Sequence, residues 1–301
     1  MTSTPEVDDP ARTGPFPDKR RRLIGSPIVD PLKRLIASRK KSPFERMTVH
    51  EFQYDDARVR IYELWTMRPE QAERPDLTTF ALVHGLGISS RFFVPLSDAL
   101  APYGRVLLFD LPGFHDLPKP KRKLSIVDFA DLCKRALDEL QVVDPLLVGH
   151  SMGAQVVTEI LAQYPGYSSA AMLVGPVVMP DERSLTDVAV RFMQSSVYEP
   201  TGNAIAAAMS YGRAGLRWIS DTASKVIAYP IEERLPLAKA RLLIVGGEHD
   251  WVSPEPWRER LAADVRDATV ITIPDASHGV VHDRFRELAD ELLALAGIGT
   301  A

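Results

Sequence analysis

A serine with glycines two positions before and two positions after it is the strongest chemical signal in the chain. The apolar run Leu146–Val148 leads directly into Gly149–Gly153, which reads Gly-His-Ser-Met-Gly, and a helical pattern follows from Ala154. A serine hydroxyl is a weak nucleophile unless it stands exposed on a sharp turn beside a base. The two glycines let the backbone make that turn and let strand and helix pack closely. The pattern therefore predicts Ser151 as a nucleophile, if the chain also supplies a base, an acid and oxyanion donors.

A glycine-rich turn upstream could stabilise the oxyanion that such a serine would generate. The buried run Thr79–Val83 ends in His84–Gly87, a His-Gly-Leu-Gly sequence. Its glycines allow backbone N–H groups to turn inward, and we expect the N–H groups of Leu86 and Met152 to form an oxyanion hole. Loss of one such donor typically lowers the rate by about 10²–10³-fold, so this turn matters as much as the serine.

An acid and a base follow in the chain order expected for a serine on a strand-to-helix turn. The buried run Arg241–Val245 is followed by a polar turn that contains Asp250, our choice for the acid. A last apolar run, Thr269–Ile273, precedes His278, our choice for the base. Each candidate follows the end of a strand-like run, which is where open parallel sheets bind their ligands.

Other residues compete for these roles. Glu248 and Asp275 are the alternatives for the acid, and Asp110 at the end of an earlier strand is a weaker one. His282, four residues after His278, suggests a zinc-binding pair on a helix, but no third ligand stands at a suitable spacing. We therefore expect no metal ion. The remaining histidines near these motifs are assigned structural positions: His84, His150 and His249.

Four short segments carry a resemblance to a known family. HGLG, GHSMGA, GGEHDWVSP and DASHG resemble the motifs of α/β-hydrolase-fold enzymes with a serine nucleophile, and the similarity runs from about Met47 to about Gly297. The resemblance implies a triad of Ser151, Asp250 and His278 and an oxyanion hole of Leu86 and Met152. Ser277 stands where the family often has glycine, a difference that we expect to be tolerated. Serine at position 151 argues against the aspartate-nucleophile haloalkane dehalogenases and epoxide hydrolases.

The organisation of the chain follows from its alternating patterns. Strand-like runs alternate with helical ones, which predicts an α/β fold with a mostly parallel, doubly wound sheet. The resemblance implies the α/β-hydrolase fold with an inserted helical cap. We assign residues 46–178 and 239–301 to the core and residues 179–238 to the cap, because the latter break the alternation. Helical segments are expected in the cap at Ser184–Val197, Asn203–Ile219 and Ser224–Leu235.

Aromatic side chains of the proposed cap would line the pocket. An apolar lid excludes water and favours hydrophobic acyl or alcohol groups. We expect the substrate to contact Phe192, Tyr211 and Trp218, together with Trp251 beside the acid.

Residues 1–45 form a basic extension that we expect to be partly disordered. They are rich in proline, serine and charge and include the run Lys19–Arg22. They do not read as a signal peptide, because no continuous apolar region or cleavage site follows the basic residues. An arm that binds a partner or a membrane surface is the alternative.

Length and composition agree with an enzyme that acts on a small-molecule substrate. With 301 residues, 45% of them hydrophobic, the chain can bury one large core, and its net charge of −4 gives no indication of nucleic-acid binding. A single cysteine, Cys133, excludes an internal disulfide and permits a reducing compartment. No apolar run approaches the roughly 18 residues that cross a bilayer, so we expect a cytoplasmic protein without an integral membrane segment.

These observations predict a serine hydrolase that cleaves a carboxylic ester or related acyl substrate through an acyl-enzyme, without a cofactor. The expected partner is a small apolar acyl-containing substrate, and a homodimer is compatible with the sequence. Two alternatives remain on the same fold: a cofactor-free C–C bond hydrolase of aromatic catabolism and an acyltransferase.

Overall fold

A computed structural model describes residues 43–66, 77–199 and 212–299. Within these residues eight strands form one sheet, in the order β1-β2-β4-β3-β5-β6-β7-β8. The strands are β1 (Thr48–Tyr54), β2 (Ala57–Leu64), β3 (Thr79–Val83), β4 (Arg105–Asp110), β5 (Leu146–His150), β6 (Ala170–Val174), β7 (Arg241–Gly247) and β8 (Ala268–Ile273). The pairs β1–β2 and β2–β4 are antiparallel and the other pairs are parallel, which confirms the mostly parallel sheet.

Helices connect the strands and cover both faces of the sheet. The α-helices are α1 (Val94–Leu100), α2 (Ile126–Glu139), α3 (Met152–Gln163), α4 (Leu185–Ser196), α5 (Leu216–Ala228), α6 (Ile231–Arg234), α7 (Glu255–Ala263), α8 (Val280–Asp283) and α9 (Phe285–Leu295). Short 3₁₀ helices occur at Pro43–Arg46, Ser90–Phe93, Pro180–Glu182 and Leu235–Leu237.

The alternation of side chains along the strands divides the core into two layers. In β3, Ala81 and Val83 pack in the layer that contains α2 and α3, whereas Phe80 and Leu82 pack in the layer that contains α1 and α9. Successive side chains of a strand point to opposite faces, so a strand buried on both faces must be apolar throughout. Full burial of each such side chain contributes about 1.5–3 kcal/mol. The doubly wound arrangement is therefore the one that satisfies this sequence.

The chain between β6 and β7 is helical where it is described. Helix α4 matches the expected segment, but α5 runs without a break through residues 220–223, where we expected two helices to be separated. The break lies instead at Gly215, whose φ of +77° is a conformation that glycine adopts at little cost. Residues 200–211 lie outside the described residues.

The expected extension also falls almost wholly outside the described part of the chain. Residues 1–42 are not described, and residues 43–45 belong to the 3₁₀ helix Pro43–Arg46. In the part of the chain that is described, every helix is too short or too polar to cross a membrane.

Candidate active site

Ser151 stands on a strained turn between β5 and α3. Its φ of 55° and ψ of −119° are unusual for a residue with a side chain, and its N–H donates to the carbonyl oxygen of Val174 at 2.9 Å. The flanking glycines are required by space: a Cβ on Gly149 would lie 2.3 Å from the carbonyl oxygen of Gly153. A Cβ on Gly153 would lie 2.1 Å from the carbonyl oxygen of Val83. The turn therefore holds the serine in a raised, partly exposed position.

Asp250 and His278 form a buried hydrogen-bonded pair. His278 Nδ1 lies 2.9 Å from Asp250 Oδ2 and 3.0 Å from Oδ1, and the two residues are 4% and 2% exposed. Asp250 Oδ1 also accepts the N–H groups of Val252 at 3.1 Å and Ser253 at 3.0 Å. The carboxylate is thus fixed by its own turn, and His278 Nδ1 carries a proton toward it.

The alternative acids lie elsewhere. Glu248 and Asp275 are both exposed. The N–H of Asp275 donates to Glu248 Oε2 at 3.1 Å. Asp110 is buried and accepts the N–H of Ser90 at 2.9 Å. The structure brings Asp250, rather than any of these, to the imidazole.

The electrostatics of the pair favour an imidazolium beside a carboxylate. Burial by itself lowers the pKa of His278, but the charge of Asp250 and the hydrogen bond outweigh it and raise that pKa above the ordinary value. Burial by itself raises the pKa of Asp250, but the charge of His278 outweighs it and lowers that pKa. A positive charge that forms on His278 is therefore compensated in place.

His150 links the loop that carries His278 to the turn that carries Ser151. Its Nε2 lies 2.9 Å from the carbonyl oxygen of His278, and the two rings are 4.9 Å apart. Burial lowers the pKa of His150 to about 3, so the ring is neutral and Nε2–H is the donor. The residue that precedes Ser151 thus positions the backbone of His278.

The two expected oxyanion donors lie next to Ser151. Leu86 lines the same cavity as Ser151, and Met152 begins α3 directly after it. Among the described residues, neither N–H donates to another backbone carbonyl. The Leu86 turn is braced by His84, which accepts the N–H of Leu111 on Nε2 at 3.1 Å and contacts the carbonyl oxygen of Gly85 through Nδ1 at 2.7 Å. Neither N–H is thus committed to a backbone acceptor, as an oxyanion donor requires.

Gly175, at the end of β6, leaves room for the acid–base pair. Its φ is +55°, and a Cβ there would lie 3.0 Å from both Asp250 Oδ2 and His278 Nδ1. We expect Gly175→Ala to lower kcat by roughly 10- to 100-fold, because displacing catalytic groups by about 1 Å can cost 10²-fold. The matched control is Gly166→Ala: Gly166 has a φ of +92° and open space around it. Steady-state kinetics should show a loss only for Gly175→Ala, although both variants lose stability. Equal losses of kcat would contradict this prediction.

Arg258 contacts the loop that carries Asp250, residues 248–253, which we call the acid loop. No feature of the sequence marked Arg258 for this position. It is fully buried on α7, its guanidinium donates to the carbonyl oxygen of Ser253, and Nη2 lies 2.7 Å from Thr272 Oγ1. Its charge favours the ionised form of Asp250. An arginine on a helix is ordinarily exposed, so only the tertiary structure reveals this role.

Two adjoining cavities open at Ser151 and His278. The smaller, about 30 Å³, is lined by Gly85, Leu86, Ile88, Phe92, His150, Ser151, Phe192, Glu199, His278 and Gly279. The larger, about 660 Å³, has a mainly apolar wall that includes Val177, Leu185, Val188, Phe192, Leu216, Val226 and Val252. We call them the small chamber and the large chamber. Most of the apolar wall of the large chamber comes from α4 and α5.

Of the three expected aromatic residues that the structure describes, one lines these chambers. Phe192 lines both. Trp218 packs instead on Gly113 and, edge to face, on Phe114, with ring centroids 6.3 Å apart. Trp251 is 42% exposed and is not among the described residues that line either chamber. Tyr211 lies outside the described residues.

Glu199 is a site residue that the sequence analysis missed. It lines both chambers, and its Oε1 lies 3.0 Å from the position that a Cβ on Gly279 would take. Burial raises its pKa above the ordinary value for glutamate. It follows α4 in a turn that carries no recognisable motif, so only the fold brings it to His278.

In the described part of the chain, two groups of side chains have ligand atoms close enough together to hold a cation. They are Asp110, His115 and Asp116, and Glu248, His249 and Asp275. Asp116 already pairs with Arg60 at 2.5 Å and with His115 at 2.6 Å, and the ring of His249 stacks on Tyr198. Neither group includes Ser151, Asp250 or His278.

Comparisons with known proteins agree with the fold. Residues 80–291 match the model of a family described as the alpha/beta hydrolase family. A putative non-heme haloperoxidase of Mycobacterium phage D29 is 30% identical over 92 residues, 30% of this chain and 33% of that protein. A poly(3-hydroxyalkanoate) depolymerase of Ectopseudomonas oleovorans is 28% identical over 111 residues, 36% of this chain and 39% of that protein. The matches thus span only about a third of these relatives. The crystal structure of a membrane phospholipase A, described as a bacterial virulence factor, superposes with a TM-score of 0.70 at 19% identity, covering 84% of this chain and 87% of that one.

Proposed function

The chain belongs to the alpha/beta hydrolase family, and from that premise we propose that it is a serine hydrolase that cleaves a carboxylic ester or related acyl substrate. The observation that carries the proposal is the buried Asp250–His278 pair, whose histidine lines one cavity with Ser151 on its strained turn. Nucleophile, base and orienting acid are the constellation that activates a hydroxyl for acyl transfer.

Each residue has a defined step in the proposed mechanism. His278 Nε2 takes the proton of Ser151 as the hydroxyl oxygen attacks the acyl carbon. The N–H groups of Leu86 and Met152 stabilise the oxyanion, and Asp250 compensates the imidazolium. His278 then protonates the leaving alcohol, and an acyl-enzyme remains on Ser151. A water molecule, deprotonated by His278, attacks the acyl-enzyme and releases the acid and the free serine.

The large chamber supports an apolar acyl group as the substrate. Its volume of about 660 Å³ lies within the roughly 300–1,000 Å³ of typical ligand pockets, which are mostly apolar with a few placed polar groups. We propose that residues 179–238 act as a cap over this chamber and that residues 46–178 and 239–301 form the core that holds the triad. Phe192 is our substrate contact, and Tyr211 remains a proposal for a residue outside the described range.

The experiment that tests the proposed function is hydrolysis of p-nitrophenyl esters of graded acyl length. We expect kcat/KM to rise by up to about fourfold per added methylene until the large chamber is filled, because each buried CH₂ contributes about 0.8 kcal/mol. A substituted enzyme lacking the Ser151 hydroxyl is the blank for background hydrolysis. If the wild-type protein cleaves none of the esters, the proposal is wrong. Transfer to added alcohol in preference to water would favour the acyltransferase alternative, and cleavage of vinylogous diketones but not esters would favour the C–C hydrolase.

A further inference from the structure

Among the described residues that line the chambers, Glu199 is the carboxylate, and the proposed mechanism does not use it. Among the described residues that line the large chamber, Glu199 and His278 are the ones that can carry a charge. The other walls are apolar apart from the hydroxyl groups of Ser151 and Ser196. A pocket of this kind orients its ligand through its few polar groups, so the position of Glu199 bears directly on what can bind.

Glu199 is held in place by contacts with the acid loop. Its turn follows α4, where Ser195 Oγ accepts the N–H of Trp251 at 2.9 Å. The ring of Tyr198 stacks on that of His249, with centroids 4.3 Å apart and planes 18° apart. Both contacts fasten the residues just before Glu199 to the segment that carries Asp250. The segment that carries Glu199 is therefore held against the site.

The carboxylate lies on the side of the leaving group. His278 must protonate the departing alcohol, so the alcohol has to lie against the His278 loop. Glu199 Oε1 meets that loop at Gly279, and any side chain at position 279 would displace it. The small chamber bounded by these residues has a volume of only about 30 Å³, whereas the large chamber can hold the acyl chain. Glu199 therefore lies where the leaving alcohol meets the His278 loop, whereas α4 and α5 supply most of the apolar wall for the acyl chain.

The charges around Glu199 leave it able to receive a donor. Its strongest charge interactions are attraction to protonated His278 and repulsion from Asp283, and the backbone N–H of Gly279 and the side chain of Ser277 also favour its ionised form. A carboxylate has about four acceptor sites, so it can still receive a donor from a substrate. A substrate hydroxyl or ammonium group would meet an acceptor here, while a substrate anion would meet a like charge. At an effective dielectric of about 20, like charges about 6 Å apart discriminate by roughly 100-fold.

Resting on the proposed function, we propose that Glu199 determines the alcohol specificity of this enzyme. It accepts a hydrogen bond from a hydroxyl or ammonium group on a small leaving alcohol, and it rejects esters whose alcohol part carries an anion. The substrate class is therefore an apolar acyl chain esterified to a small, neutral or cationic alcohol with a hydrogen-bond donor.

Three octanoate esters of nearly equal size test this specificity: 2-hydroxyethyl, propyl and carboxymethyl. The assay is run at about pH 8, well above the ordinary pKa of a carboxyl group, because burial raises the pKa of Glu199. We expect wild-type kcat/KM to be highest for the hydroxyethyl ester and lowest for the carboxymethyl ester. Glu199→Gln keeps the volume and removes the charge, so the ratio of hydroxyethyl to carboxymethyl activity should fall by roughly 10- to 100-fold. Glu199→Asp should retain most of the ratio. Glu233→Gln, which removes an exposed carboxylate on α6, should leave it unchanged.

The outcomes separate this inference from the proposed function. Fluorophosphonate labelling of Ser151 in every variant shows that the site is assembled, so a variant that fails to fold is recognised. An unchanged ratio in Glu199→Gln, or an equal change in Glu233→Gln, overturns the inference. Labelling of the wild-type protein without cleavage of any of the three esters also overturns it and leaves a serine hydrolase. Absence of both labelling and cleavage overturns the proposed function itself.

Discussion

Replacement of Ser151 by alanine should lower ester turnover by roughly 10⁶-fold, the loss seen when the nucleophile of a serine triad is removed. The expected loss is this large because, in the described part of the chain, Ser151 is the residue whose hydroxyl stands on the strained turn and lines a cavity with His278. Alanine keeps the Cβ that the turn already accommodates at a φ of 55°, so the fold should be preserved. Steady-state hydrolysis and covalent labelling by a fluorophosphonate measure the effect, and both should be abolished.

An exposed serine provides the matched control for that variant. Ser224 lies on α5, where its hydroxyl donates to the carbonyl oxygen of Asp221 at 2.7 Å. Ser224→Ala should label and turn over like the wild-type protein. If Ser151→Ala retained turnover near the wild-type rate with an unchanged Tm, Ser151 could not be the nucleophile.

Replacement of Asp250 by asparagine should lower kcat by roughly 10⁴-fold with little change of geometry, by analogy with protease triads. The amide cannot compensate the imidazolium, and it presents a donor where the carboxylate now accepts from His278 Nδ1. The matched control is Asp275→Asn, since Asp275 is the exposed alternative acid in the same region. An equal loss in Asp275→Asn would show that the acid is wrongly assigned.

The wild-type protein and Asp250→Asn should also differ in the pH dependence of kcat/KM. His278 acts as a base only when it is neutral, so kcat/KM should rise with pH as His278 loses its proton. The charge of Asp250 raises the pKa of His278, which places the inflection above the ordinary value of about 6.5. In Asp250→Asn the burial of His278 is no longer opposed by that charge, so the inflection should move to lower pH. An inflection that stays in place would contradict the assigned coupling.

The sheet and the candidate acid–base pair were accessible from sequence because their signals are local. A strand buried on both faces is a short apolar run. The turn at its end is recognisable from its glycine or polar residues. Hence β3, β5 and β7 were anticipated within two residues of their observed ends. Asp250 was chosen because it follows a strand end, which in an open parallel sheet is a position near the ligand, and because the family resemblance implies the acid at this position.

The residues that escaped prediction are those whose roles depend on distant parts of the chain. Glu199 and Arg258 lie on segments without a motif, and their contacts with Gly279 and Ser253 arise only when the sheet assembles. Trp218 illustrates the converse error. An aromatic side chain in a helical pattern is equally suited to lining a pocket and to packing on a neighbouring backbone, and here it packs on Gly113.

The bonds between α4 and the acid loop bear on any attempt to re-engineer this enzyme. Ser195 and Tyr198 fasten the segment that shapes the binding cavity to the segment that carries Asp250. We therefore expect changes in α4 that alter selectivity to alter the rate as well. Substitutions in α4 that widen the substrate range should lower kcat unless Ser195 and Tyr198 are kept.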